Sequence, residues 1–332
     1  MSPRILKRLL ALAVAPVAMF MPQLLWAQLS HPVLTLEKQF RAHTLEGEAL
    51  IQVRFSSASD LFITSASDGK LKLWNAPDSL KQEFTAPNRA MLFNARLDPD
   101  DLSVIGAAYN GIAPRWSLDG TPLRTHGPHL SGVTDVEILP GDRGVVTSSD
   151  DGSIRFWTTH GHLVHRIPRP GVTRHLDLAD SRELLAASQD IGTVTLLTTR
   201  GDVLQIFPTS QGRLNDVIFS PDQQFLVTGG FDGTIKFWDV SKTTRPPALV
   251  RTIPAIAGAS WIEGLALNRS GLLASASDDG VLRIWSLQGQ LLDSIKLSNQ
   301  HLMSISFSSD GRRLLAAAID GTVSVLRVGQ PR

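Results

Sequence analysis

The chain has 332 residues, 42% of them hydrophobic, and a formal net charge of +1, enough to bury a core in one large or two ordinary domains. The near-neutral charge lacks the basic excess of a nucleic-acid binder, and beyond residues 1–27, which carry Arg4, Lys7 and Arg8, 29 basic residues face 31 acidic ones. The absence of cysteine excludes disulfides, iron–sulfur clusters, thiolate zinc sites, a cysteine nucleophile and a lipid-modified N-terminal cysteine.

At the N-terminus, Lys7-Arg8 precedes an apolar run from Leu9 to Met21, then Pro22 and Leu25-Trp26-Ala27. This order of basic, apolar and small residues predicts a secretory signal over residues 1–27, cut after Ala27, and a periplasmic or secreted product. Pro16 and Pro22 interrupt the run, which is shorter than the roughly 20 apolar residues of a spanning helix, so no transmembrane segment is expected after cleavage.

From residue 30 onward no helical period emerges, and one unit recurs. Its copies are Asp68-Gly69 to Trp74, Asn110-Gly111 to Trp116, Asp151-Gly152 to Trp157, Asp190 with Gly192, Asp232-Gly233 to Trp238, Asp279-Gly280 to Trp285 and Asp320-Gly321 to Leu326. Successive glycines lie 42, 41, 40, 41, 47 and 41 residues apart, the length of four short strands with their turns. The fifth copy displays the pattern: Asp216–Phe219, a turn at Ser220-Pro221-Asp222, Phe225–Thr228, the Asp232-Gly233 hairpin, Thr234–Trp238 and Leu249–Ile253. The final unit has three strands, and Leu34–Phe40 resembles the missing fourth. The expected fold is therefore all-β: a seven-bladed β-propeller of four-stranded blades over residues 28–332, its ring closed by the N-terminal strand.

These units resemble the WD40 family over about residues 33–328. The resemblance implies hydrogen-bonded tetrads, complete in blade three as His129, Thr147, Asp151 and Trp157, and offered in blade one by His43, Thr64, Asp68 and Trp74. Blades five and six keep Thr228, Asp232, Trp238 and Ser275, Asp279, Trp285 without the histidine. Blade two has Asn110 and Trp116 with Gly106 at the hydroxyl position, and blades four and seven lack both tryptophan and hydroxyl. A buried carboxylate needs several donors, which gives such tetrads a physical basis; because the hydroxyl recurs in other blades, it reads as scaffold and not as a nucleophile.

His160, His162 and His165 are placed in the turn between the third and fourth strands of blade three, as exposed polar residues with no metal expected. Lys242–Pro247 accounts for the 47-residue interval and is expected as a loop on the face opposite the Asp-Gly turns. No cofactor or catalytic motif appears.

The resemblance implies that partners dock on the face carrying the Asp-Gly turns, through the residue before each turn and those leading into each first strand. The positions before the turns hold Ser67, Tyr109, Asp150, Gln189, Phe231, Asp278 and Ile319; the lead-in positions include Met91, Phe93, Arg174, Arg213, Asn215, Trp261, Glu263, His301 and Met303. Tyr109, Arg174, Arg213, Phe231, Trp261 and His301 are the candidate partner-binding residues, because aromatic and arginine side chains dominate binding hot spots. The expected function is a non-catalytic protein-binding scaffold outside the cytoplasm. The alternative is a hydrolase- or lactonase-like propeller enzyme with a metal in its central channel, held by Asp135, His175 and Asp216; the matching positions elsewhere are Gln52, Asn94, Gly264 and Ser304.

Overall fold

Short strands of alternating apolar residues cannot hide their faces alone, and here they pair into seven antiparallel four-stranded sheets whose faces stack on one another. The computed structural model describes residues 33–44, 49–255 and 260–329. The predicted signal segment, its cleavage site and the tether beyond it lie outside the described residues. Among these residues, regular structure consists of strands and three single turns of 3-10 helix.

The innermost strands are Leu50–Phe55, Leu92–Leu97, Val133–Leu139, Thr173–Ala179, Leu214–Phe219, Ile262–Leu267 and Leu302–Phe307, in blades one to seven. They contact one another around a central channel. In blade seven the outer strand is Leu34–Arg41, antiparallel to Thr322–Val328, so the two ends of the ring share one sheet. The pairing carries a bulge at Glu37, whose carboxylate accepts from Arg313 Nε (3.3 Å) and Arg327 Nε (2.8 Å).

The core is divided among the seven blade interfaces. Trp74 packs with Leu315, Ala317, Val323 and Val325 of blade seven, and Trp157 with Ile105, Ala107 and Ala113 of blade two. Each tryptophan thus covers the blade before its own. Where the repeat lacks it, Leu197 and Leu326 take the same register position, opposite Leu185 and Leu314. A leucine fills the gap without a polar N–H, so these blades need no buried hydroxyl at this point.

Two irregularities recur. Every first–second strand pair carries a bulge, as between Leu50 and Gln52 or Thr173 and His175, which turns two successive side chains toward the channel end. On the rim, the Asp-Gly glycines adopt positive φ (Gly69 +74°, Gly152 +73°), and a Cβ on Gly69 would lie 2.5 Å from Arg89 O. Their carbonyls accept from the residue after the outer strand, as in Arg169 N to Gly152 O at 2.7 Å.

Candidate functional site

In an up-and-down blade, the start of the first strand, the second–third turn and the end of the fourth strand share one edge. The Asp-Gly turns and the lead-in segments therefore form one face. A backbone bond joins the two sets in every blade: the residue before the turn donates to the lead-in carbonyl, as in Tyr109 to Met91 (2.9 Å), Phe231 to Arg213 (3.0 Å), Asp278 to Trp261 (3.3 Å) and Ile319 to His301 (3.0 Å). Blade four corrects the sequence alignment. There Asp190 donates to Val172 O (2.9 Å), so Asp190 occupies the position assigned to Gln189 and Ile191 the position of the turn aspartate. Gln189 instead ends the second strand, fully buried and opposite Thr173.

Four of the six candidate residues form one continuous ledge. The Arg213 guanidinium lies 4.9 Å from the Phe231 ring centroid. Phe231 stacks on Trp261 of the next blade at 4.3 Å and 5°, and Trp261 meets His301 of the following blade edge-on at 6.1 Å. Arg174 joins Arg213 at the channel mouth, a cavity of about 370 Å³ that also includes Asn215, Glu263, Phe93 and Met303. Tyr109 stands apart, 54% exposed and edge-on to Phe93 at 5.8 Å. Phe231 and Trp261 are half-buried, so they both seal the blade ends and present ring edges. Leu130, 85% exposed in the segment leading into blade three, is an apolar contributor that reasoning from the repeat missed, since that position carries no recurring residue type.

Both tetrads are assembled. In blade three, His129 Nδ1 lies 3.2 Å from Asp151 Oδ2, His129 Nε2 2.6 Å from Thr147 Oγ1, and Trp157 Nε1 donates to the same hydroxyl at 2.8 Å. The blade-one distances for His43, Asp68, Thr64 and Trp74 are 2.9, 2.9 and 3.0 Å. The indole uses one lone pair of the hydroxyl and the aspartate requires a donor. A neutral histidine protonated on Nδ1, with the threonine O–H donating to Nε2, satisfies every group. Burial lowers His129 to about 4 against the pull of Asp151, so the neutral form holds. Burial would raise Asp151, but donors from Ser153 and Leu130 hold it well below the usual carboxylate range. Blade five reaches the same end differently. Buried Gln211 takes the histidine position, accepting from Thr228 Oγ1 (2.5 Å) and donating to Thr234 O (2.9 Å), while Trp238 Nε1 donates to Thr228 (3.0 Å). Asp232 is exposed, and among the described residues its carboxylate bonds only within its own turn.

The channel positions named for a metal do converge, but as ties between inner strands. Asp135 Oδ2 accepts from Leu176 N (2.8 Å) and Arg96 Nη2 (3.2 Å), and Asp216 Oδ2 from Leu265 N (2.7 Å). Gln52 Oε1 accepts from Ala95 N (2.6 Å) at the equivalent place between blades one and two. His175 sits between the carboxylates, Nε2 3.5 Å from Asp135 and Nδ1 2.9 Å from Asp216. The second contact is an ion pair by distance, since the Nδ1 hydrogen bond runs to Val217 O at 3.3 Å. Burial opposes charge on His175, but Asp216 and then Asp135 outweigh it and push it up to about 9. Among the described residues no three His, Cys, Asp or Glu side chains are grouped to hold a metal. The far half of the channel, a cavity of about 350 Å³, is charged on one side by Arg54, Arg96, Glu137 and Asp177. Burial and then Glu137 raise Asp177 to about 7.

Of the three histidines placed in one turn, only His160 and His162 lie there; His165 belongs to the outer strand Leu163–Pro168, edge-on to Phe156 at 6.4 Å. Lys242–Pro247 lies between the third and outer strands of blade five, on the face opposite the Asp-Gly turns, where Thr243 O accepts from Gln205 Nε2 at 2.9 Å.

The sequence profile described as "WD domain, G-beta repeat" matches residues 34–75, 120–158, 201–239, 249–286 and 289–325. The chain belongs to the WD40 family. It is similar to an "Uncharacterized WD repeat-containing protein slr1410" of Synechocystis sp., 41% identical over 89% of this chain and 86% of that protein. A second Synechocystis WD repeat-containing protein, slr1409, is 32% identical over 89% of this chain and 88% of its own length. Telomerase protein component 1 of Mus musculus is 27% identical over 82% of this WD40 chain, which spans 11% of that protein. As a WD40 propeller the protein falls in a family of generally non-catalytic, protein-binding scaffolds. Among the described residues no helix is long and apolar enough to cross a membrane.

Proposed function

We propose that this WD40 propeller is a non-catalytic scaffold, exported to the periplasm or beyond, that docks a protein partner on the face carrying its Asp-Gly turns. The observation that carries the reading is the ledge of Arg213, Phe231, Trp261 and His301, which runs across three blades beside Arg174. Scattered exposed apolar residues are ordinary; contiguous aromatic rings capped by arginine have the composition of a binding hot spot. Export rests on the Lys7-Arg8, Leu9–Met21, Ala27 pattern.

Proximity labelling or pull-down from the native envelope supplies the partner for the test. Alanine variants of Tyr109, Arg174, Arg213, Phe231, Trp261 and His301 are then compared with variants of His160, His162, Lys242 and Arg245 on the opposite face. Losses of about 2 kcal/mol of binding confined to the first set support the reading. Losses confined to the second set move the site to the other face. N-terminal sequencing of the envelope protein should begin at or near Gln28, and an intact Met1 in soluble cytoplasm would remove the export assignment.

A further inference from the structure

The ledge ends at two arginines whose charges meet no carboxylate. Among the described residues, neither Arg174 nor Arg213 has an ion-pair partner within 4.0 Å, although Arg54, Arg96, Arg115, Arg155 and Arg283 each have one. The Nε atoms of Arg174 and Arg213 are buried and have no hydrogen-bond acceptor. A buried N–H without an acceptor costs about 1–3 kcal/mol, more when the group is charged. The two cations are also close enough to act on each other: after burial, Arg213 is the largest influence lowering Arg174. Both side chains line the mouth cavity of about 370 Å³.

The surrounding groups define what an incoming anion must be. Arg213 Cζ lies over the Phe231 ring at 4.9 Å, a contact that uses no N–H and leaves the guanidinium donors for an acceptor. Glu263 is already engaged, accepting from Asn215 Nδ2 at 3.1 Å and standing 3.9 Å from His301 Nδ1. The Asp190 carboxylate accepts from Val172 N at 2.8 Å. Asp150, Asp190 and Glu263 all act on Arg174 from beyond contact distance. Three acidic groups nearby disfavour a dianion such as phosphate, whereas a single carboxylate matches the planar donors and relieves the repulsion between the arginines. Phe231 and Trp261 offer apolar edges beside the pair, which suits an acidic residue with apolar neighbours.

We propose that Arg174 and Arg213 form a cleft for the side-chain carboxylate of an aspartate or glutamate in an extended, aromatic-flanked segment of the docked protein. This rests on the reading of the Asp-Gly face as the docking surface.

The test uses the full mature chain and the capped peptide Ac-Phe-Glu-Phe-NH2, with its Gln and phosphoserine counterparts as controls. Arginine Nε–H resonances, assigned with R174K and R213K, are followed by NMR during titration. The Glu peptide should shift both resonances and bind at least tenfold more tightly than the Gln peptide. R174Q and R213Q should each lose at least tenfold, with melting temperatures unchanged or raised. Equal binding of the Glu and Gln peptides, tighter binding of phosphoserine, unmoved arginine resonances, or no binding of the Glu peptide at millimolar concentration would each overturn the cleft. If F231A and W261A weaken peptide binding while R174Q and R213Q do not, the docking face survives and the carboxylate assignment falls. If only opposite-face variants weaken binding, both fall.

Discussion

Replacing Asp151 with alanine isolates the contribution of a complete tetrad. The carboxylate, 4% exposed, accepts from His129 Nδ1 (3.2 Å), Leu130 N (3.0 Å), Ser153 N (2.8 Å) and Arg155 Nη2 (2.9 Å). Leu130 is exposed and its N–H can recover water, and the Ser153 hydroxyl, which also donates to Asp151 at 2.5 Å, can turn to another partner, so those two losses are small. The deep losses are the His129 N–H, the buried Ser153 backbone N–H and the Arg155 guanidinium. Breaking a buried charged pair costs about 3–5 kcal/mol, less here because Arg155 retains Pro128 O and Ser153 Oγ. The expected destabilisation is about 2–4 kcal/mol. Asp320→Ala provides the comparison: among the described residues its carboxylate accepts one bond, from Thr322 N at 3.0 Å, and about 0.5–1 kcal/mol is expected. Urea titrations of both variants, followed by circular dichroism, report the difference in midpoint. Because the folded Asp151 pKa is depressed, its contribution is present above the usual carboxylate range and fades as pH falls through the folded value. Equal midpoint shifts for the two variants at pH 7 would refute the assignment of the tetrad as a stabilising network in blade three.

Deleting residues 33–41 removes the outer strand of blade seven and exposes the edge of Thr322–Val328; aggregation or non-cooperative unfolding by light scattering and calorimetry is expected, and a variant as soluble as the parent would show that this strand does not close the ring. Gln211→Ala should cost about 1–3 kcal/mol by leaving Thr228 and Thr234 O without a partner, while exposed Asp232→Ala stays within about 0.5 kcal/mol, both read by urea titration. Two pH limbs are expected, with Asp177, raised to about 7 by burial and Glu137, adding to the loss of stability as pH rises through 7. His126 and His129, depressed to about 4 by burial, bind protons more readily when unfolded, so stability falls as pH drops from about 6.5 toward 4. His175, raised to about 9 by Asp216 and Asp135 against burial, contributes stability below about pH 6.5 that is lost as pH rises through 9. In melting scans His175→Asn should flatten the alkaline limb and, by removing the charge that holds Asp216 down, also lower stability on the acid side.

The repeat made the ring legible because it restates one local solution seven times: turn chemistry at each Asp-Gly, alternating apolar strands, and a tryptophan at a fixed distance. The closing strand Leu34–Arg41 was also legible, since a three-stranded final unit demands a fourth and the early segment has the pattern of the other outer strands. The tetrads of blades one and three followed from the resemblance to the WD40 repeat, which names the residue types and their places in the blade. Gln211 did not, because an amide with both donor and acceptor can replace histidine only where the backbone brings it to Thr228. The one-residue shift at Asp190 was likewise hidden, for Gln-Asp-Ile-Gly admits two alignments and the ladder bond to Val172 O selects one. Side-chain type marked Arg213, Phe231, Trp261 and His301 as candidates, yet their contact runs between blades, over intervals that no local rule spans. The bulge before each channel residue turns both Arg174 and His175 inward, against strict strand alternation. Whether a charge in the channel is paired or left open depends on the blade beside it: Asp135 and Asp216 enclose His175, whereas Arg174 and Arg213 act on each other with no carboxylate within ion-pair distance among the described residues, and that arrangement exists only once the ring has closed.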